Sequence, residues 1–164
     1  MNVLRSLAWI ALKSWIRAKF PEVKQMAIAE LTHQLQQHDS SKPLLLDART
    51  VEEFDVSHLP QAHRVDQWML ARGEQQPSIE STQQAIVVYC SVGYRSTRFA
   101  QSLQTRGYSN VFNLEGSLFE WVNQGYSVYR TGADGVEQVT QWVHPYNATW
   151  GRLLNNTVKQ FTPG

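Results

Sequence analysis

Two apolar runs with no polar interruption, 44–46 (LLL) and 85–89 (AIVVY), set the strongest limit on how this chain can fold. A strand that is apolar at every position, rather than at every second one, has to be covered on both faces, which is the condition of a strand inside a parallel sheet. The segments around these runs supply the cover. Ile28, Leu31 and Leu35 recur at helical spacing through Gln37. Thr50 with Glu53 forms a capping box for a helix from residue 51 to about 57. Phe99, Ala100 and Leu103 share one face of a helix expected over 96–106, and Gly107 suits its left-handed end. Leu118, Trp121 and Val122 mark a further helix, stopped near Gly125. Shorter strands are expected at 23–26, 62–65 and 110–114, and a short helix at 66–72. A turn is expected at 38–43 and a polar surface connection at 73–84. Strands alternating with helices predict an α/β domain, a parallel sheet with helices on both faces. Ligands of such sheets bind outside the carboxyl ends of the strands. Cys90 directly follows the 85–89 run, at that edge.

The α/β pattern occupies residues 21–127, with a segment on either side. Residues 1–20 contain Arg5, Lys13, Arg17 and Lys19 and no acid. The uncharged stretch 6–12 is far short of the roughly 20 apolar residues that span a bilayer. Lys13 interrupts it and no small-residue cleavage site follows, which argues against a secretory signal. On a helical wheel Ser6, Lys13 and Arg17 fall together, with Val3, Leu4, Leu7, Ala11 and Trp15 opposite, so an N-terminal amphipathic helix is expected, closed by Pro21. Its apolar side is expected to pack on the domain or on a second copy. Contact with a membrane surface is the alternative. Residues 128–164 are expected to form a C-terminal extension covering one face of the domain. It has a turn at Gly132, Asp134 and Gly135 and an aromatic stretch with Trp142, His144, Pro145, Tyr146 and Trp150.

The chain has 15 basic and 14 acidic side chains, so overall charge offers no support for a nucleic-acid partner. Its single cysteine excludes an internal disulfide and a multi-thiolate zinc site. A lone thiol is at home in a reducing cytoplasm, the expected compartment.

Cys90 opens the loop Cys90-Ser91-Val92-Gly93-Tyr94-Arg95-Ser96. A thiol between the end of a buried strand and the start of a helix meets main-chain N–H groups with no partner inside the helix, together with the positive end of the helix dipole. Both favour an anion, and hence a nucleophilic thiolate. Gly93 can take a positive φ and curl the loop amides inward, and Arg95 adds a permanent cation. A cysteine after an apolar strand is more often inert core filler, but a filler has no need of a glycine and an arginine placed to hold an anion.

This loop is similar to the active-site loop of rhodanese-like sulfurtransferases: cysteine, two variable residues, glycine, one variable residue, arginine, then serine or threonine. Three more blocks resemble that family in the same order. Leu44-Leu45-Leu46-Asp47-Ala48-Arg49 with Glu52-Glu53-Phe54 is the first. His58-Leu59-Pro60 with Ala62 is the second, and Asn113-Leu114-Glu115-Gly116 with Trp121 follows the loop. The chain departs from the pattern at Ser57, Gln61 and Ser117, where the family usually has glycine. Ser117 is expected either to narrow the pocket or to supply it with a hydroxyl.

The resemblance implies covalent catalysis by Cys90 with no metal and no cofactor. Cys90 takes the outer sulfur of a thiosulfate-like or persulfide donor, and a thiophilic acceptor removes it. The acceptor is cyanide in an assay, a small thiol, or a sulfur-accepting protein. The amides of Ser91, Val92, Gly93, Tyr94, Arg95 and Ser96 would hold the anionic persulfide. Arg95 either binds the donor or pairs with an acid such as Glu53. Asp47 and Arg49 are expected to brace the pocket, His58 to serve a structural hydrogen bond, and Arg98 to add positive potential. Two rival readings stand beside this one. A binding or sulfur-delivery module would keep the fold with little free turnover. A phosphatase of the related cell-cycle type would need a wider loop: four residues separate Cys90 from Arg95, one fewer than in those enzymes.

Overall fold

The computed structural model describes residues 3–37, 42–72 and 84–161. Most of the expected turn at 38–43 and of the connection at 73–84 lies outside them. After helix α1 (Val3–Lys19) come β1 (Lys24–Met26), α2 (Ile28–Gln36), β2 (Leu44–Asp47), α3 (Val51–Val56), β3 (His63–Arg64), α4 (Val65–Arg72) and β4 (Ile86–Tyr89). Then follow α5 (Tyr94–Thr105), β5 (Val111–Leu114) and α6 (Ser117–Asn123). Strands β1 to β5 form one parallel sheet in the order β1-β5-β4-β2-β3. β4, the apolar run before Cys90, is central and buried at every position.

Alternate residues of β4 serve two cores. Val87 and Tyr89 pack with Leu31, Leu118 and Phe119 from α2 and α6, while Ile86 and Val88 pack with Trp68, Ala100 and Leu103 from α4 and α5. Both faces are covered, as an uninterrupted apolar strand requires. The capping box forms at α3: the Glu53 amide donates to Thr50 Oγ1, and the Thr50 amide donates to the Glu53 carboxylate.

α1 packs on the domain by a different face from the one the helical wheel selects. Trp9 joins one core and Ile16 the other, whereas Val3, Leu4, Leu7 and Ile10 are 57–74% exposed. Charged side chains of α1 reach partners on the domain and the C-terminal extension. Lys13 pairs with Glu120 at 2.5 Å, Arg17 with Glu115 at 2.6 Å, and Arg5 donates to Asn155 Oδ1 at 2.8 Å. Partly exposed ion pairs are worth about 0–1 kcal/mol each, and burying a large apolar side chain about 1.5–3 kcal/mol. Trp9 and Ile16 therefore dock the helix and set its rotation, and the ion pairs add a smaller contribution. Among the described residues no helix is long and apolar enough to cross a membrane.

The C-terminal extension holds a hairpin of β6 (Val128–Thr131) and β7 (Glu137–Thr140). A second pair, β8 (Trp142–Val143) and β9 (Lys159–Gln160), flanks the short helix α7 (Ala148–Gly151). β6 joins the domain through a two-way bridge between the main chains of His58 and Tyr129. Val143, Leu153 and Leu154 complete the core on the α2 and α6 side.

Candidate active site

Cys90 lies in the turn from β4 to α5. That helix starts at Tyr94, two residues before the expected position, because Gly93 takes its N-cap at φ 114° and ψ −14°. An L side chain rarely adopts such angles, so the position favours glycine. The early start puts Tyr94, Arg95 and Ser96 in the first helical turn, whose amides have no acceptor within the helix.

The loop is oriented by α6. The Leu118 amide donates to the Cys90 carbonyl at 3.1 Å, and the Phe119 amide to the Ser91 carbonyl at 3.0 Å. No peptide here is cis, and in a trans peptide the following N–H points opposite to the carbonyl. The Ser91 and Val92 amides are thus turned away from α6. The Gly93 amide donates directly to Cys90 Sγ at 3.1 Å, and Ser96 Oγ sits 3.4 Å from the same sulfur while donating to Asn113 Oδ1 at 2.6 Å. Asn113 is held in turn by Gln25 at 2.7 Å.

One charged pair, Arg95 with Glu53, braces this cradle. Arg95 meets Glu53 with two parallel bonds of 2.7 Å, and its Nη2 also donates to Ser91 Oγ at 3.0 Å. Burial pushes the Glu53 carboxyl up, but the Arg95 hydrogen bonds and charge, the Thr50 amide and the Arg49 charge outweigh it and hold the group down at about 2. Burial disfavours the Arg95 cation, yet its hydrogen bonds to Glu53 and the charges of Cys90 and Glu53 raise it above the ordinary guanidinium range. Of the two roles open to Arg95, the geometry is that of the Glu53 pair. Asp47 and Arg49 form a second forked pair at 2.7–3.1 Å, both side chains fully buried, and Arg49 also donates to the Ser57 carbonyl. His58 stacks on Phe54 and reaches the Leu59 carbonyl and Thr131 Oγ1. It does not line the cavity over Cys90, and Arg98 faces a separate groove beside Phe99.

Two of the three departures at glycine positions keep a glycine-like backbone. Gln61 has φ 56° and Ser117 φ 51°. The Gln61 amide is met by the carboxylate of Glu137, from the extension. Ser117 Oγ accepts from the Cys90 amide at 3.2 Å and donates to the Leu114 carbonyl at 3.1 Å, so its hydroxyl pins the loop. Cys90 is 1% exposed and forms the floor of a cavity of about 220 Å³. The walls include Leu12, Trp15, Tyr146 and Trp150, all from the flanking segments.

The Rhodanese-like domain model matches residues 29–124, which contain the cradle and its braces. This chain belongs to the rhodanese-like domain family. A protein named Sulfurtransferase from Allochromatium vinosum is 30% identical over 88 residues, covering 53% of this chain and 78% of that one. The probable adenylyltransferase/sulfurtransferase MoeZ of Mycobacterium tuberculosis is 29% identical over 87 residues, 52% of this chain but only 22% of MoeZ. This chain thus spans about a fifth of that relative's length. The rhodanese-like fold is shared with the thiosulfate sulfurtransferase of Pseudomonas aeruginosa, at a TM-score of 0.58 and 22% identity, covering 74% of this chain and 23% of that one. Trp15, Tyr146 and Trp150 lie outside the matched residues.

Proposed function

We propose that this rhodanese-like protein is a sulfurtransferase that carries a sulfane sulfur as a persulfide on Cys90. The observation that carries the reading is the Gly93 amide aimed at Cys90 Sγ from a loop whose carbonyls are drawn off toward α6. The Cys90 thiolate attacks the outer sulfur of a donor. The donor's S–S bond breaks and its remainder leaves with the electron pair, as sulfite from thiosulfate or as a thiolate from a persulfide. The loop amides then face a persulfide anion, the same charge one atom further out. An acceptor thiol, small or on a protein, or cyanide attacks the terminal sulfur, and the thiolate of Cys90 departs. The sulfurtransferase names of the A. vinosum and M. tuberculosis relatives support the reading.

Loop length speaks against phosphate-ester chemistry. Four residues separate Cys90 from Arg95, which makes a narrower cradle than a tetrahedral phosphate requires. The test is thiocyanate release from sulfane-sulfur donors and cyanide, run beside hydrolysis of p-nitrophenyl phosphate. Thiocyanate formation that disappears in Cys90→Ala, with negligible phosphatase activity, is expected. Brisk phosphate release, or equal thiocyanate release by both proteins, would overturn the assignment.

A further inference from the structure

Above the cradle the cavity is walled by aromatic rings that the flanking segments contribute. Trp15 of α1 stacks on Tyr94 at 5.3 Å between centroids and 18° between planes. Tyr146 covers the Arg95 guanidinium at 4.8 Å. Trp150, from α7, and Leu12 complete the wall. These rings are held in place. Tyr146 has φ 63°, a conformation a large side chain keeps only when its surroundings impose it, and its amide donates to His144 Nδ1 at 3.0 Å. Asn147 Oδ1 then accepts from the amides of Thr149 and Trp150, both at 3.0 Å, and so caps the turn that carries Trp150. Arg5 of α1 donates to the Arg152 carbonyl at 3.2 Å, tying the two flanking segments together.

The same wall offers an anion little beyond the main chain. Among the described residues Arg95 is the cation lining the cavity, with its terminal nitrogens on Glu53 and its face under Tyr146. Lys19 lies 5.1 Å from the centroids of both Trp15 and Tyr94, outside the lining. A small dianion such as thiosulfate would exchange its water for rings and gain no free cation in return. An apolar substituent would gain by leaving water. A volume of about 220 Å³ leaves room for one ring or a short aliphatic group beyond the reacting sulfur.

We infer that the aromatic collar makes Cys90 selective for sulfur donors with an apolar substituent next to the sulfane sulfur, in preference to small hydrophilic oxyanions. The inference rests on the sulfurtransferase reading and specifies its donor class. With a thiosulfonate monoanion, the Cys90 thiolate bonds to the terminal sulfur, the donor's S–S bond breaks and a sulfinate leaves with the pair. Atoms and charge balance without a further reactant. The ring of an aryl donor would lie among Trp15, Tyr146 and Trp150.

The experiment follows Cys90 persulfide formation by intact-mass time courses with benzenethiosulfonate, methanethiosulfonate and thiosulfate. Each rate is divided by that donor's rate with a free small thiol, to remove intrinsic reactivity. The full chain is expected to favour the benzene donor over the methane donor by roughly tenfold or more, the scale at which apolar pockets discriminate, with thiosulfate slowest. In Trp150→Ala and Tyr146→Ala the preference should fall toward unity, and Trp150→Phe should retain it. Equal normalised rates in the unmodified protein would overturn the inference and leave sulfur transfer standing. A preference that survives both alanine variants would overturn the role of the collar. Failure of every donor to load Cys90 would remove the sulfurtransferase reading as well.

Discussion

The floor and the rim of the Cys90 cavity are built by opposite means. The floor is main chain, curled by Gly93 and braced by the Arg95–Glu53 pair, and it comes from residues inside the family match. The rim is side chain, made of rings from α1 and the C-terminal extension that no signature of the family specifies. A loop amide responds to charge alone, whereas a ring responds to what surrounds the charged atom. Under the proposed sulfur transfer, reactivity and selectivity would reside in separable parts, and variants of each should fail differently.

The largest loss is expected beneath the floor. Arg49→Ala leaves the Asp47 carboxylate fully buried without its cation, and such a change costs about 3–5 kcal/mol, read as a drop in the urea midpoint. Glu53→Gln comes next, at about 2 kcal/mol, because it removes charge-assisted bonds to Arg95. Its pH dependence is a sharper test. The Glu53 carboxyl is depressed from 4.5 to about 2 in the fold, so its contribution is complete above about pH 4.5 and is lost as pH falls toward 2. The stability gap between the native protein and Glu53→Gln should close over that window. A gap constant from pH 7 to pH 2 would contradict the pairing.

Gly93→Ala is expected to cost roughly 1–2 kcal/mol, the penalty of a left-handed backbone for a residue with a Cβ. It should slow sulfur loading from all donors alike, whereas a collar variant changes their ranking. Donor-dependent loss in Gly93→Ala would blur the division between floor and rim. The smallest effect belongs to the outer face of α1. Leu4→Gln with Leu7→Gln should move stability by less than about 0.5 kcal/mol per site, since both side chains are largely exposed. A loss of several kcal/mol would place that face against something the single chain does not contain.

Features carried by short stretches of chain were legible in advance. The 85–89 run, the Thr50 and Glu53 capping box and the glycine of the Cys90 loop each announce their conformation within a few residues, and the sheet follows from them. The face of α1 was not legible. Its wheel places Val3, Leu4 and Leu7 on the apolar side, whereas the docked face buries Trp9 and Ile16 in cores built far along the chain and brings Lys13 and Arg17 to Glu120 and Glu115, about a hundred positions on. Ser117 is similar. Its sequence shows a missing glycine, while its left-handed backbone and its bond to the Cys90 amide are visible only in three dimensions. Asn113 stood within a recognised block, but its hold on Ser96 crosses from β5 to α5. Tyr146 and Trp150 read simply as an aromatic stretch, because nothing local says that the chain returns to the mouth of a distant strand.

Whether the sulfur of residue 90 is a covalent carrier can be decided by weighing the intact protein after exposure to a sulfane-sulfur donor and again after cyanide. The account predicts one added sulfur atom, mapped to Cys90 and removed by cyanide, with no addition to Cys90→Ser. An unchanged mass with every donor, or the same added sulfur on Cys90→Ser, would contradict it.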